Sequence, residues 1–155
     1  LLLDELFALL VSTEIDMTIF FRNLSQVCVT KSYHDVNLLA CVKDAYYQFD
    51  QLTDELKSEH ASWLRKYLEH LSQCQIDPAE KRAQMNSVNP KYVLRNYMAQ
   101  MAIDKADNGD YSLISELHEL LKKPYDDQPE FENWFAKRPE WARNKVGCSM
   151  LSCSS

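Results

Sequence analysis

A chain of 155 residues with 46% hydrophobic content can build one ordinary core and is too short for two comfortable domains. Its net charge of −6, with Lys and Arg scattered in ones and twos, excludes a basic stripe for nucleic acid and repels anionic membrane. No stretch reaches the length of a membrane span.

In chain order, the opening LLLDELFALLVS is broken by Asp4 and Glu5 too early for a signal peptide. The first residue is Leu, so the expected context is the interior of a longer protein. Thr13 to Asp16 forms a capping-box-like start before an apolar run through Ile19, Phe20, Phe21, Leu24 and Val27. A second helix is expected over 34–50. Thr53, followed by Asp54 and Glu55, opens a third, in which Leu56, His60, Trp63, Leu64, Tyr67, Leu68 and Leu71 keep a 3.6-residue period to about Gln73. Trp63 is the expected anchor of that helix. Pro78 permits a short helix after it.

The next stretch, MNSVNPKYVLRNY, reads as a helix start at Asn89-Pro90, with Lys91 and Arg95 one turn apart. Two cations beside a helix N-terminus suit a phosphate or carboxylate. The alternative is a capped helix whose cations pair with neighbouring acids. Leu94, Met98, Met101 and Ala102 form its apolar face, Asn108-Gly109 stops it, and Asp110 caps the next helix. That helix carries Leu113, Ile114, Leu117, Leu120 and Leu121 until Pro124 ends it, giving an antiparallel hairpin of 90–107 and 111–123. From Pro124 onward the period is lost, and Tyr125, Phe131, Trp134, Phe135 and Trp141 are expected to pack on the bundle or on a surface outside the chain.

The residues suited to chemistry are sparse. His34, His60, His70 and His118 stand apart from one another and from Ser or Cys at motif spacing, with no HExxH and no glycine-rich loop. His60 reads as a satisfied core histidine. Asp126, Asp127 and Glu130 read as a solvated acidic turn rather than a calcium loop. Of five cysteines, Cys28, Cys41 and Cys74 are expected to be buried free thiols. Cys148 and Cys153 are expected in an exposed tail, open to oxidation or idle.

The segment NPKYVLRNYMAQMAIDKADNGDYS, then PYDDQPEFENW, Pro139-Glu140-Trp141 and the terminal SCSS together resemble the C-terminal region of the selenoprotein O family, including its bacterial cysteine-containing members. DMTIFFRNLS at 16–25 and the Trp63–Tyr67 helix are similar to parts of the same region, so the resemblance covers nearly the whole chain. It implies a parent protein that is a kinase-like enzyme transferring AMP from ATP, with Mg²⁺ or Mn²⁺, onto protein hydroxyl side chains. It also implies that the catalytic motifs precede this region, so the 155 residues hold no catalytic residue, cofactor or metal of their own. Cys153 stands where eukaryotic members have selenocysteine, which implies a redox role. Cys148 is a second redox candidate, and which thiol partners which is left open. Asn89, Pro90 and Asn96 become structural signature residues, and Lys91 and Arg95 become candidates for docking on the absent kinase-like domain.

The expected architecture is an all-α bundle of about five or six helices over 1–123, with an extended aromatic-rich tail over 124–155. The expected partners are the kinase-like domain and the parent's protein substrates, in the cytoplasm, with no nucleic acid and no membrane. The competing reading is a stand-alone helical protein-interaction module.

Overall fold

The structure, a computed structural model, describes residues 1–27, 35–146 and 148. Cys28, His34, Cys153 and the terminal SCSS lie outside the described residues. The fold is all-α, as expected. Seven α-helices are present among the described residues: α1 Leu2–Ser12, α2 Met17–Leu24, α3 Asp35–Ala40, α4 Asp54–Cys74, α5 Pro78–Val88, α6 Asn96–Ala106 and α7 Ser112–Leu121. Among the described residues the one β feature is an isolated antiparallel bridge between Ile15 and Tyr46. The chain divides into two compact units, Leu1–Asn89 and Pro90–Ser155.

In the first unit the helix starts follow the capping chemistry. Asp16 caps α2, its buried Oδ1 accepting from the Ile19 N–H at 3.1 Å. Thr13 instead closes α1, so the helix starts three residues later than expected. Thr53 caps α4 as expected, accepting from the Leu56 N–H at 3.3 Å. Asp77 caps α5, with Pro78 in the first turn. The helix expected over 34–50 is shorter. It ends at Ala40, and two 3₁₀ turns, Lys43–Ala45 and Phe49–Gln51, follow. The Ile15–Tyr46 bridge explains the break, because it takes Tyr46 into extended backbone between the turns.

Helices α1 and α3 pack on α4, while α2 packs on α5 and on the 43–45 turn. Phe20, Leu24, Val27, Leu38, Val42, Tyr46, Trp63 and Leu64 form most of the buried interior. Trp63 is buried, stacks on Tyr67 at 5.6 Å and donates from Nε1 to the Leu2 carbonyl at 2.8 Å. His60 is also buried. Its Nδ1 lies 2.8 Å from the Tyr46 hydroxyl and its Nε2 3.3 Å from the Thr13 hydroxyl, so both ring nitrogens have partners. Burial lowers the His60 pKa and raises that of Tyr46.

In the second unit α6 and α7 pack as an antiparallel hairpin. Gly109, at φ +80°, makes the turn, and the Asp110 carboxylate accepts the Ser112 N–H at 2.9 Å. Met98, Ala102, Leu113, Leu117 and Leu120 fill the interface. Ile114, expected on the core face, is 46% exposed. The described residues from Pro124 are turns rather than an extended run. They belong to this unit and form 3₁₀ turns at Pro129–Trp134 and Glu140–Ala142, which bury Trp134 and Ala142 beside Tyr92 and Tyr97. The Trp134 Nε1 donates to Glu116 at 2.7 Å.

Replacing Trp63 with Ala is expected to lower the unfolding free energy by about 3–5 kcal/mol, read by urea titration, because both the ring packing and a backbone hydrogen bond are lost. A second prediction concerns pH. The folded pKa of His60 lies below the unfolded value of 6.5, so the unfolded state takes up the proton first. Stability is therefore expected to fall as pH drops through about 6.5, and a His60→Gln variant, less stable at neutral pH, should show a shallower fall over that window.

Candidate functional site

The expected anion site lies on Asn89–Arg95, and the structure gives this segment a different backbone. Asn89 ends α5 rather than starting a helix. Its N–H donates to the Met85 carbonyl at 3.0 Å, and its Nδ2 reaches the same oxygen at 2.7 Å. The proline ring at 90 cannot continue a helix and holds Asn89 in extended backbone, at φ −112° and ψ 104°. The dipeptide Asn-Pro is thus a stop here. The next helix, α6, begins at Asn96, and the Arg95 carbonyl accepts from Met98 and Ala99.

Residues 90–95 form an irregular connection, bent at Lys91, which acts as a strap. Lys91 and Tyr92 both donate their backbone N–H groups to the Pro124 carbonyl, at 2.7 and 3.1 Å. The Tyr92 ring is buried among Tyr97, Met98 and Leu120, and its hydroxyl donates to the Gln128 carbonyl at 2.9 Å. Gln128 in turn donates from Nε2 to the Leu120 and Lys123 carbonyls, which also accept the backbone N–H groups of Lys123 and Asp126 just beyond α7.

The Lys91 ammonium lies 2.6 Å from Glu132 and 3.3 Å from Asp127, near the Tyr92 and Phe135 rings. Burial disfavours its charge, but the hydrogen bonds to Glu132 and Asp127 outweigh that cost and raise its pKa. Its side chain is only 10% exposed. Lys91 is therefore paired with acids, but in a connection rather than a capped helix, and no helix N-terminus stands beside it. Lys91 and Arg95 do not share a helix face. Leu94, placed on the apolar face by sequence, precedes α6 and is 55% exposed.

Two buried cations in the first unit were missed. Arg22 on α2 donates to the Asn86 and Asn89 carbonyls at 3.4 and 3.2 Å, while Lys81 on α5 donates to the Leu24 and Val27 carbonyls. Each helix thus supplies a cation to the C-terminal end of the other, where the carbonyls carry partial negative charge. The signal available for Arg22 was its place inside the apolar run IFFRNL. Lys81 sits in a polar helix sequence and gave none.

The cysteines also depart from expectation. Cys74 is exposed, at the end of α4, and Cys41 is half-buried. Cys148, expected in an exposed tail, is 5% exposed and lies in the Tyr92–Trp134 cluster. Among the described residues no three His, Cys, Asp or Glu side chains come together as metal ligands, and no helix is long and apolar enough to cross a membrane. A cleft of about 320 Å³ beside α1 and α4 is lined by Glu5, Ser62, Trp63 and Lys66, with Glu5 and Lys66 paired at 2.7 Å.

Comparison with known proteins decides the family. The family described as "Protein adenylyltransferase SelO" matches residues 1–122. The chain belongs to the SelO family. It is 52% identical over 154 residues to a protein nucleotidyltransferase YdiU of Flavobacterium johnsoniae, covering 99% of this chain and 29% of that protein. It is 49% identical to proteins of the same description from Rhodopirellula baltica and Methylobacillus flagellatus, covering 30% and 29% of them. The chain therefore spans about three-tenths of the length of these SelO-family relatives. Within it, the NPKYVLRN segment is an internally satisfied connection.

Replacing Lys91 with Met is expected to lower the stability of the second unit by about 1–2 kcal/mol, since two carboxylates lose their partner and one hydrogen-bonded ion pair is removed. Differential scanning calorimetry at low and high salt checks this, with a smaller loss at high salt.

Proposed function

We propose that the chain is the helical C-terminal portion of a protein adenylyltransferase, and that it supports the catalytic part without taking a chemical step itself. The observation that carries this reading is one of length: nearly all of the chain aligns with proteins described as nucleotidyltransferases, yet it spans only 29% of the first of them. The proposed parent transfers AMP from ATP onto hydroxyl side chains of protein substrates through a kinase-like domain. ATP and Mg²⁺ or Mn²⁺ are assigned to that domain, and no residue here is given a role toward them. The docking role of Lys91 and Arg95 is part of the proposal, with Lys91 acting through the strap that it fixes. Cytoplasmic location belongs to it as well.

A redox role is proposed for Cys153. Cys148 is buried in the second unit. Under limiting alkylating reagent Cys153 is expected to label before Cys148, as mapped by mass spectrometry. Equal rates would contradict the assignment.

The activity is tested with labelled ATP and Mg²⁺ or Mn²⁺. The 155-residue chain should gain no label above a heat-denatured control, while the product of the complete reading frame labels itself or an acceptor protein. Label on the chain alone would overturn the proposal.

A further inference from the structure

Helix α1 carries more apolar surface than the first unit covers. At 100° per residue, its apolar side chains occupy an arc of roughly 200°, about twice the stripe that a helix on a protein surface needs. One half of that arc faces α4. Leu6 is buried there, Leu2 and Leu9 are half-buried, and the Leu2 carbonyl holds the Trp63 indole. The other half is open: Leu3, Phe7 and Val11, spaced by four residues, are 57%, 47% and 87% exposed. Single exposed apolar side chains are ordinary on any surface, whereas three in register on one helix mark a face that is built to be covered.

We infer that the Leu3–Phe7–Val11 face of α1 is an intramolecular docking face, covered in the complete protein by an apolar surface of the polypeptide outside these 155 residues. The inference rests on the proposed function. What selects this occupant is length: roughly seven-tenths of each relative lies outside the matched region, so the polypeptide needed to cover the face is supplied by the same protein. A tethered partner also meets the face at high effective concentration, so a modest apolar patch suffices where a free partner would need a larger one.

The test compares thiol accessibility at two positions on α1. Phe7→Cys lies in the open apolar face and Ala8→Cys on the polar side, and both residues are exposed in this chain. Each variant is made in the 155-residue chain and in the product of the complete reading frame, and labelling of residues 7 and 8 is timed by mass spectrometry. The expected result is fast labelling of both in the chain, with labelling at residue 7 alone slowed by about tenfold or more in the complete protein. Equal rates at residue 7 in both forms would overturn the inference, even where the complete protein transfers AMP. Slow labelling at residue 7 in the chain alone, growing with its concentration, would assign the face to a second copy and overturn it too. A reading frame without a further domain would overturn this inference and the proposed function together.

Discussion

Irregular backbone does not supply its own hydrogen-bond partners, and in the connection after Asn89 two N–H groups are paired from outside it. The Pro124 carbonyl supplies the acceptor for two consecutive N–H groups, those of Lys91 and Tyr92. That single oxygen joins the strap to the residue just beyond α7, and the rest of the second unit follows from it. Tyr92 is carried into the core beside Met98 and Leu120, its hydroxyl fixes the Gln128 backbone, and Gln128 covers the carbonyls at the end of α7. Lys91, held at the same place, faces the two carboxylates of the following turn. A cation pair that the sequence offers as an anion site is thereby divided, one member in a strap and the other at a helix start.

The first unit answers the same demand at its helix ends. Arg22 and Lys81 leave water to satisfy carbonyls that α2 and α5 cannot pair internally. A buried cation is costly unless it is fully hydrogen-bonded, so these two contacts fix how the two helices cross more firmly than apolar packing alone. Because Arg22 binds the Asn89 carbonyl, the end of the first unit is set one residue before the strap begins.

Much of this was legible in the sequence. Thr53 with two acids after it, and the unbroken apolar period to Leu71, specified α4. Asn108-Gly109-Asp110 specified the hairpin turn, and the isolation of His60 on an apolar face specified a core histidine. What misled was local ambiguity that only distant residues resolve. Asn-Pro suits a helix start and a helix stop equally well, and Pro124, thirty-odd residues on in sequence, decides between them by accepting the strap's N–H groups. Cys74 follows the apolar period of α4 but stands at its C-terminal end beside Ser72, Gln73 and Gln75, where it is exposed. Cys148 looks exposed because no helical period continues past Pro124, yet it lies in the aromatic cluster. Of the aromatic residues after Pro124, Trp134 is buried and Phe131 and Phe135 pack on its cluster, whereas Tyr125 and Trp141 are exposed, and acceptors such as Glu116 for Trp134 could not be read without the fold.

The account's central claim is that the NPKYVLRN segment is a strap tied to Pro124 and not a capped helix that offers its N-terminus to an anion. Amide hydrogen exchange of the 155-residue chain, followed residue by residue by NMR, tests it most directly. The account predicts protected N–H groups at Lys91 and Tyr92, both lost when the second unit unfolds. Open-chain exchange at Lys91 and Tyr92, with protection beginning at Val93 and continuing through Leu94 and Arg95, is the pattern of a helix started by Asn89 and would contradict it.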